Sequence, residues 1–237
     1  MNLTFEYGTR TIAFDYSYRK RKTLEIAVEP PDAIKVVAPT GTPEEIILKK
    51  VKSKAKWIVE RLYFFKDMEY RKVDKEYVNG EAFLYLGRNY SLQIEVDSSL
   101  NETKVTLFRG KLTVQTPEKV EMVINKAIEE WYREKTLAKV MERLKYYQHY
   151  IDVKPTAIRV KDQQKRWASC TTKNELYFNW RCIMAPAPIF EYIVVHELCH
   201  LIHHNHSKEF WDMVGRILPD YERRKEWLKN YGIKLDL

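Results

Sequence analysis

Five of the chain's six histidines fall between His196 and His206, in the stretch "VVHELCHLIHHNH", with one glutamate among them. Imidazoles and carboxylates are the side chains that bind transition metals and move protons near neutral pH. In His196-Glu197-Leu198-Cys199-His200 the two histidines stand four apart. On a helix that spacing puts them on one face, about 6 Å apart along the axis, where both reach a single ion. Glu197 is rotated from His196 by about 100°, which sets its carboxylate beside the ion as a base for a water held there. Ile189, Tyr192, Ile193, Val194, Val195, Leu198, Leu201 and Ile202 make the predicted helix, residues 188–204, apolar round most of its girth. Ionisable side chains on a buried helix are costly unless paired or metal-bound.

An open catalytic zinc site takes three protein ligands and leaves one position for water. His203 lies on the face of His196 but about 10 Å along a straight helix, too far to share its ion. His204 points elsewhere. Asn205 suits a left-handed helix end, and Ser207 suits the N-cap of a following helix with Phe210, Trp211 and Val214. His206 sits at that reversal and is the expected third ligand. Glu209 and Glu222 are the alternatives, in a His-His-Glu set. His203 and His204 are expected to support the site or to lie on the surface.

The elements that must position this cluster are read from periodicity. Residues 1–38 alternate as four strands, "LTFEY", "TIAFDYSY", "KTLEIAVE" and "AIKVVAP". A helix follows over residues 43–65, with Thr42 as N-cap, Pro43 at its first position and Glu45 completing a capping box. Strands return in "NGEAFLYLGRNYSLQIEVD" and in a hairpin with Arg109-Gly110 at its tip. Thr116 and Pro117 open a long helix whose apolar stripe runs Val120, Ile124, Ala127, Ile128, Trp131, Val140, Met141 and Leu144. Short strands "TAIRV", "KRWAS" and "ELYFNW" then form a small antiparallel sheet before the histidine helix. The fold class is α+β. The expected division is a β-rich region with a helix, residues 1–115, and a helix-rich domain, residues 116–237. No internal repeat is evident.

Composition narrows the function classes. Three irregularly spaced cysteines, Cys170, Cys182 and Cys199, argue against a disulfide framework and are expected to be buried thiols. The opening residues are not expected to act as a signal peptide, and no apolar stretch approaches the roughly 20 residues that span a bilayer. A cytoplasmic setting without membrane association is expected. The net charge of +8 permits an anionic partner, either a nucleotide or a nucleic acid.

Five motifs stand in series: Arg166-Trp167-Ala168-Ser169-Cys170, Asn179-Trp180-Arg181, His196 to His200, Asn205-His206-Ser207 and Phe210-Trp211. Their combination resembles the YgjP-like metallopeptidase family, which is related to the SprT and WLM zinc peptidases. Ala168 stands where that family has glycine. The resemblance implies a zincin-like catalytic half, with His196, His200 and His206 as ligands and Glu197 as base.

The expected function is therefore a zinc-dependent hydrolase, most simply a metallopeptidase acting on peptide or protein, with another divalent transition metal as a possible substitute. Arg166, Tyr177, Arg181 and Tyr192 are the candidates for substrate or transition-state contacts. The strand "ELYFNW" is expected to offer an open sheet edge to an extended substrate. Two other readings follow from the same residues. One is a nucleotide or phosphate-ester hydrolase of the nucleoside triphosphate pyrophosphatase type, with Lys161, Lys165, Arg166 and Arg181 around the polyphosphate. The other is a non-enzymatic nucleic-acid-associated module with a closed, four-ligand structural zinc.

Overall fold

Alternation of apolar and polar residues builds the sheet of a first unit, Met1–Val73. Its strands β1 (Asn2–Tyr7), β2 (Arg10–Arg19), β3 (Glu25–Glu29) and β4 (Ala33–Pro39) lie in the order β1-β2-β4-β3. β1 and β3 pair antiparallel with β2 and β4, while β2 and β4 are parallel. Every second residue of the central pair, Ile12, Phe14 and Tyr16 on β2 and Ile34, Val36 and Ala38 on β4, is buried, as a half-covered sheet requires. Residues 1–29, 32–67, 75–163 and 166–235 are described by this structure, a computed structural model.

The single helix expected after β4 is two, α1 (Glu44–Lys52) and α2 (Ala55–Asp67). The hydroxyl of Ser53 donates to the carbonyl of Lys50 at 2.7 Å, a local bond that competes with the helical ladder at the break. The capping box is not formed. Pro43 occupies the N-cap position, and the Thr42 hydroxyl donates back to Pro39 instead, at 2.8 Å. Ile47, Val51, Ala55 and Ile58 recur at helical spacing and close the core against the sheet.

The second unit, Asp74–Leu237, opens with β5 (Ala82–Tyr85), β6 (Arg88–Val96), β7 (Lys104–Phe108) and β8 (Lys111–Thr116), in the order β5-β6-β8-β7. Leu86-Gly87 and Arg109-Gly110 link the hairpins, all four residues with positive φ, the twist that two-residue hairpin loops favour. This sheet repeats the first one strand for strand: two antiparallel hairpins joined by a parallel central pair. A Thr-Pro-Glu triplet stands near the end of the last strand of each sheet in chain order, Thr42-Pro43-Glu44 just after β4 and Thr116-Pro117-Glu118 beginning at the final residue of β8. The chain therefore carries an internal repeat of topology that its residue identities conceal.

The change of texture near residue 115 lies within this second unit, where β8 leads to α3 (Glu121–Tyr147). One core unites the sheet with the helices beyond it, so Phe83, Leu92, Leu112 and Val114 belong with Ile124, Ile128, Trp131, Val140 and Leu144. Val120 and Met141, expected on the stripe, are exposed. The Tyr132 hydroxyl donates to Leu84 at 2.6 Å and the Thr136 hydroxyl to Trp180 at 2.8 Å, tying α3 to both of its neighbours. A second sheet follows from β9 (Ala157–Lys161), β10 (Ala168–Cys170) and β11 (Glu175–Asn179), in the order β10-β11-β9. Its β10–β11 pair is antiparallel, and β9 adds to β11 in parallel. The 3-10 segment Trp180–Met184 leads to α4 (Ala187–Cys199), then α5 (Lys208–Ile217) and α6 (Tyr221–Tyr231). No helix among the described residues is long and apolar enough to cross a membrane.

Candidate metal centre

α4 carries a β-branched run, Ile193-Val194-Val195, which is a poor helix former in isolation. Burial overrides propensity here, since Ile189, Phe190, Tyr192, Ile193, Val194, Val195, Leu198 and Cys199 are all buried. The helix ends earlier than expected. His200 is its C-cap residue, and the chain tightens at once, with Leu201 N–H bonding to Leu198 and Ile202 N–H to Cys199. Asn205 does not take a left-handed conformation. Its side-chain oxygen accepts from the Ser207 N–H at 3.2 Å, a side-chain turn that brings His206 back over α4. Ser207 is the N-cap residue of α5 but makes no side-chain cap bond.

Three ring nitrogens meet as a result. His200 Nε2 lies 3.2 Å from His196 Nε2, and His206 Nε2 lies 3.0 Å from it. Among the described residues these three form the group able to hold a metal ion. Neither Glu209 nor Glu222 belongs to it, and both are exposed. Two nitrogens bound at about 2.05 Å to a tetrahedral ion stand roughly 3.3 Å apart, close to the separations found. Desolvation disfavours the charged form of all three imidazoles. It depresses His196 to about 3, with His200 and His206 adding to the effect, and it also lowers His200 and His206. Three ring nitrogens facing one another, on imidazoles whose protonation is disfavoured, present lone pairs that a cation satisfies, so the residues fit a divalent ion.

Neighbouring groups fix the rings. His200 Nδ1 bonds the carbonyl of His203 at 2.8 Å, which leaves Nε2 unprotonated and facing the cluster. The role of His203 thus lies in its backbone. Phe210 stacks on His200, with centroids 4.4 Å apart, and Trp211 on His206, at 5.5 Å, each with planes 27° apart. Trp211 is itself stacked on Tyr221 and capped by Lys225, whose Nζ is 3.8 Å from the ring centroid.

Glu197 is 5% exposed, and among the described residues its Oε2 has no hydrogen-bond partner. Burial raises its pKa to about 8, with Arg166 pulling the other way. The carboxylate, the three histidines, Arg166, His204 and β10 line one cavity of about 380 Å³.

A family model described as "YgjP-like, metallopeptidase domain" matches residues 22–231. The chain belongs to the YgjP-like metallopeptidase family. Family membership makes it a metal-dependent hydrolase of the peptidase class. Among solved structures it is similar to the metallopeptidase zymogen abylysin of Pyrococcus abyssi, at 24% identity over 37% of this chain and 86% of that one, with a TM-score of 0.33. No curated protein matches the chain.

Of the four candidate contacts in this YgjP-like chain, Arg166 lines the cavity. Tyr192 packs edge-on against the His196 ring at 5.8 Å, one helical turn before it. Tyr177 and Arg181 are not among the lining residues. The Tyr177 hydroxyl donates to Glu175 and its ring lies under Lys161. Arg181 bonds Asp162 at 2.5 Å and covers Trp180. Of the cations expected around a polyphosphate, Arg166 lines the cavity while Lys161 and Arg181 do not, and Lys165 lies outside the described residues. "ELYFNW" does not give a sheet edge, because β11 is the central strand. β10 and β9 are the edge strands, and β10 is the one whose Ala168, Ser169 and Cys170 line the cavity.

Several residues gained roles that their types did not announce. Cys170 is half-buried in the cavity wall, whereas Cys182 and Cys199 are buried in the core. His204 lines the cavity without joining the ligand group. Asn179, 3% exposed, donates to the carbonyls of Gln163 at 2.7 Å and Arg166 at 3.2 Å, and accepts from the Arg181 N–H. It pins the segment that carries Arg166. The signal was an asparagine closing a strand, a residue suited to bonding backbone groups nearby.

Proposed function

We propose that the chain is a zinc peptidase in which His196, His200 and His206 hold the ion and Glu197 is the general base. The observation that carries this reading is the meeting of three Nε2 atoms, at 3.0 and 3.2 Å, beside a buried carboxylate on the same cavity wall. A three-nitrogen donor set suits zinc, which acts as a Lewis acid and acidifies water. A closed structural site takes a fourth donor, and the group among the described residues has three.

Glu197 takes a proton from the attacking water and returns it to the leaving amine. Its unpartnered Oε2 is free for that exchange. Arg166 offers a positive charge to the oxygen on which negative charge develops. An extended peptide pairs along β10, which has β11 on one side only. Tyr192 orients the His196 ring.

A hydrolysis screen of peptides and nucleoside triphosphates, with and without chelator, tests the reading. Peptide cleavage should vanish with chelator and should fall about 10²–10⁴-fold in Glu197→Gln, the usual contribution of a general base, while that variant still binds zinc. Full activity in Glu197→Gln would remove the glutamate as base, and cleavage of triphosphates alone would remove the peptidase.

A further inference from the structure

The first unit holds a groove of about 630 Å³, within the size range of ligand sites. One wall is a stripe of α1 and the turn after it, with Ile46, Lys50 and Lys54 at four-residue spacing. Ile47 and Val51, beside that stripe, point into the core. The other wall comes from the sheet, where Leu24, Ile26 and Pro39 are half-buried and Lys22 stands at the rim. Ile46 is 46% exposed, a large aliphatic side chain left in water at the groove.

Three lysines converge here, and no acidic side chain is among the lining residues. Among the described residues the side-chain amines of Lys22, Lys50 and Lys54 pair with no carboxylate and donate no hydrogen bond. Residues 1–73 hold fifteen Lys and Arg against ten Asp and Glu, a net +5 of the chain's +8. The groove thus joins uncompensated positive charge to an aliphatic floor. It lacks aromatic rings and arginine, the groups on which nucleic-acid bases stack.

We propose that this groove is a docking site for an acidic segment of the protein substrate, an extended stretch that alternates Asp or Glu with aliphatic residues. The carboxylates engage Lys22, Lys50 and Lys54. An aliphatic side chain packs between Ile46 and the sheet wall. The proposal rests on the peptidase reading, because it assigns the segment to the substrate.

Fluorescence anisotropy on the full chain carrying Glu197→Gln tests it, with a labelled peptide of alternating Asp and Leu as the probe. The probe should bind, and both Asp→Asn and Leu→Ser versions should bind roughly tenfold more weakly, since screened lysine contacts are individually modest. The combined Lys22→Glu, Lys50→Glu, Lys54→Glu variant and the single Ile46→Asp variant should each show a comparable loss. All four positions are exposed, and circular dichroism checks that the fold is kept. In the otherwise unaltered enzyme the triple variant should slow cleavage of a protein bearing the acidic segment and spare a short uncharged peptide. Undiminished probe binding in the triple variant, or tighter binding of an oligothymidylate than of the probe, would overturn the docking site. Capture of the probe together with a complete absence of hydrolysis by the unaltered chain would instead overturn the peptidase reading.

Discussion

Phe210 lies flat on the imidazole of His200, its ring 4.4 Å away and tilted by 27°. One is a fully buried residue of α5 and the other the C-cap of α4, so packing of two helices sets the orientation of a donor nitrogen. Phe210→Ala should cost about 3–5 kcal/mol, the range for a buried phenylalanine truncated to alanine. Phe210→Leu keeps most of the volume and should cost about 1.5 kcal/mol or less, yet it removes the flat surface under His200. Thermal unfolding and zinc titration separate the two effects. Phe210→Leu should lose affinity for zinc, about tenfold as for other supports of metal ligands, out of proportion to its loss of stability.

Zinc should stabilise the fold through the histidine cluster. A ligand that binds only the folded state at about 100 times its Kd contributes about 2.7 kcal/mol. Adding zinc should raise the unfolding temperature of the native chain, and a chelator should reverse the shift. His206→Ala should abolish most of the rise, because His206 Nε2 lies 3.0 Å from His196 Nε2. Glu209→Ala should leave it intact, since that carboxylate is exposed and outside the group. A zinc-induced rise lost in Glu209→Ala and kept in His206→Ala would reverse the assignment of the third ligand.

The meeting of the three histidines was legible in sequence because it depends on short-range geometry. Spacing of four residues set His196 beside His200, and the polar turn at Asn205 and Ser207 announced the reversal that returns His206. What escaped depends on distant partners. Nothing local tells that β9 pairs with β11 in parallel and so turns "ELYFNW" into a central strand. The end of α4 was misplaced because residues 201–204 remain compatible with helix, while tertiary packing tightens the chain after His200. The repeated sheets stayed hidden because strand alternation tolerates almost any apolar residue. Thr-Pro-Glu, fixed by turn chemistry, is the trace both copies retain.

Asn179 binds the backbone at three points, and its amide is the link between β11 and the segment that ends at Arg166. Asn179→Ala leaves two part-buried carbonyls and an N–H without this partner, a change worth about 1 kcal/mol. It should also free Arg166 from its place in the cavity wall. KM for peptide should then rise while zinc affinity holds, which separates this effect from damage to the metal site. Arg166→Lys should show the smaller kinetic defect, because it keeps the charge.

Gly87 sits where β5 turns into β6, with φ of +78°, and a Cβ there would lie 2.8 Å from Cα of Pro186. Pro186 is the N-cap residue of α4, and the Gly87 N–H bonds the carbonyl of Met184 at 3.1 Å. The hairpin loop is thus wedged against the start of the helix that carries His196 and Glu197. Gly87→Ala pays twice: about 1–2 kcal/mol for a left-handed residue with a side chain, and a collision with backbone that cannot rotate away. The helix start must shift, and α4 is too tightly packed to absorb the movement locally. The variant should unfold at lower temperature than Gly110→Ala, where φ is +81° but no atom lies within 4 Å of the added Cβ. The two glycines share a conformation and differ in what they touch, so equal losses would show that backbone strain alone sets the cost and that the contact with Pro186 contributes nothing.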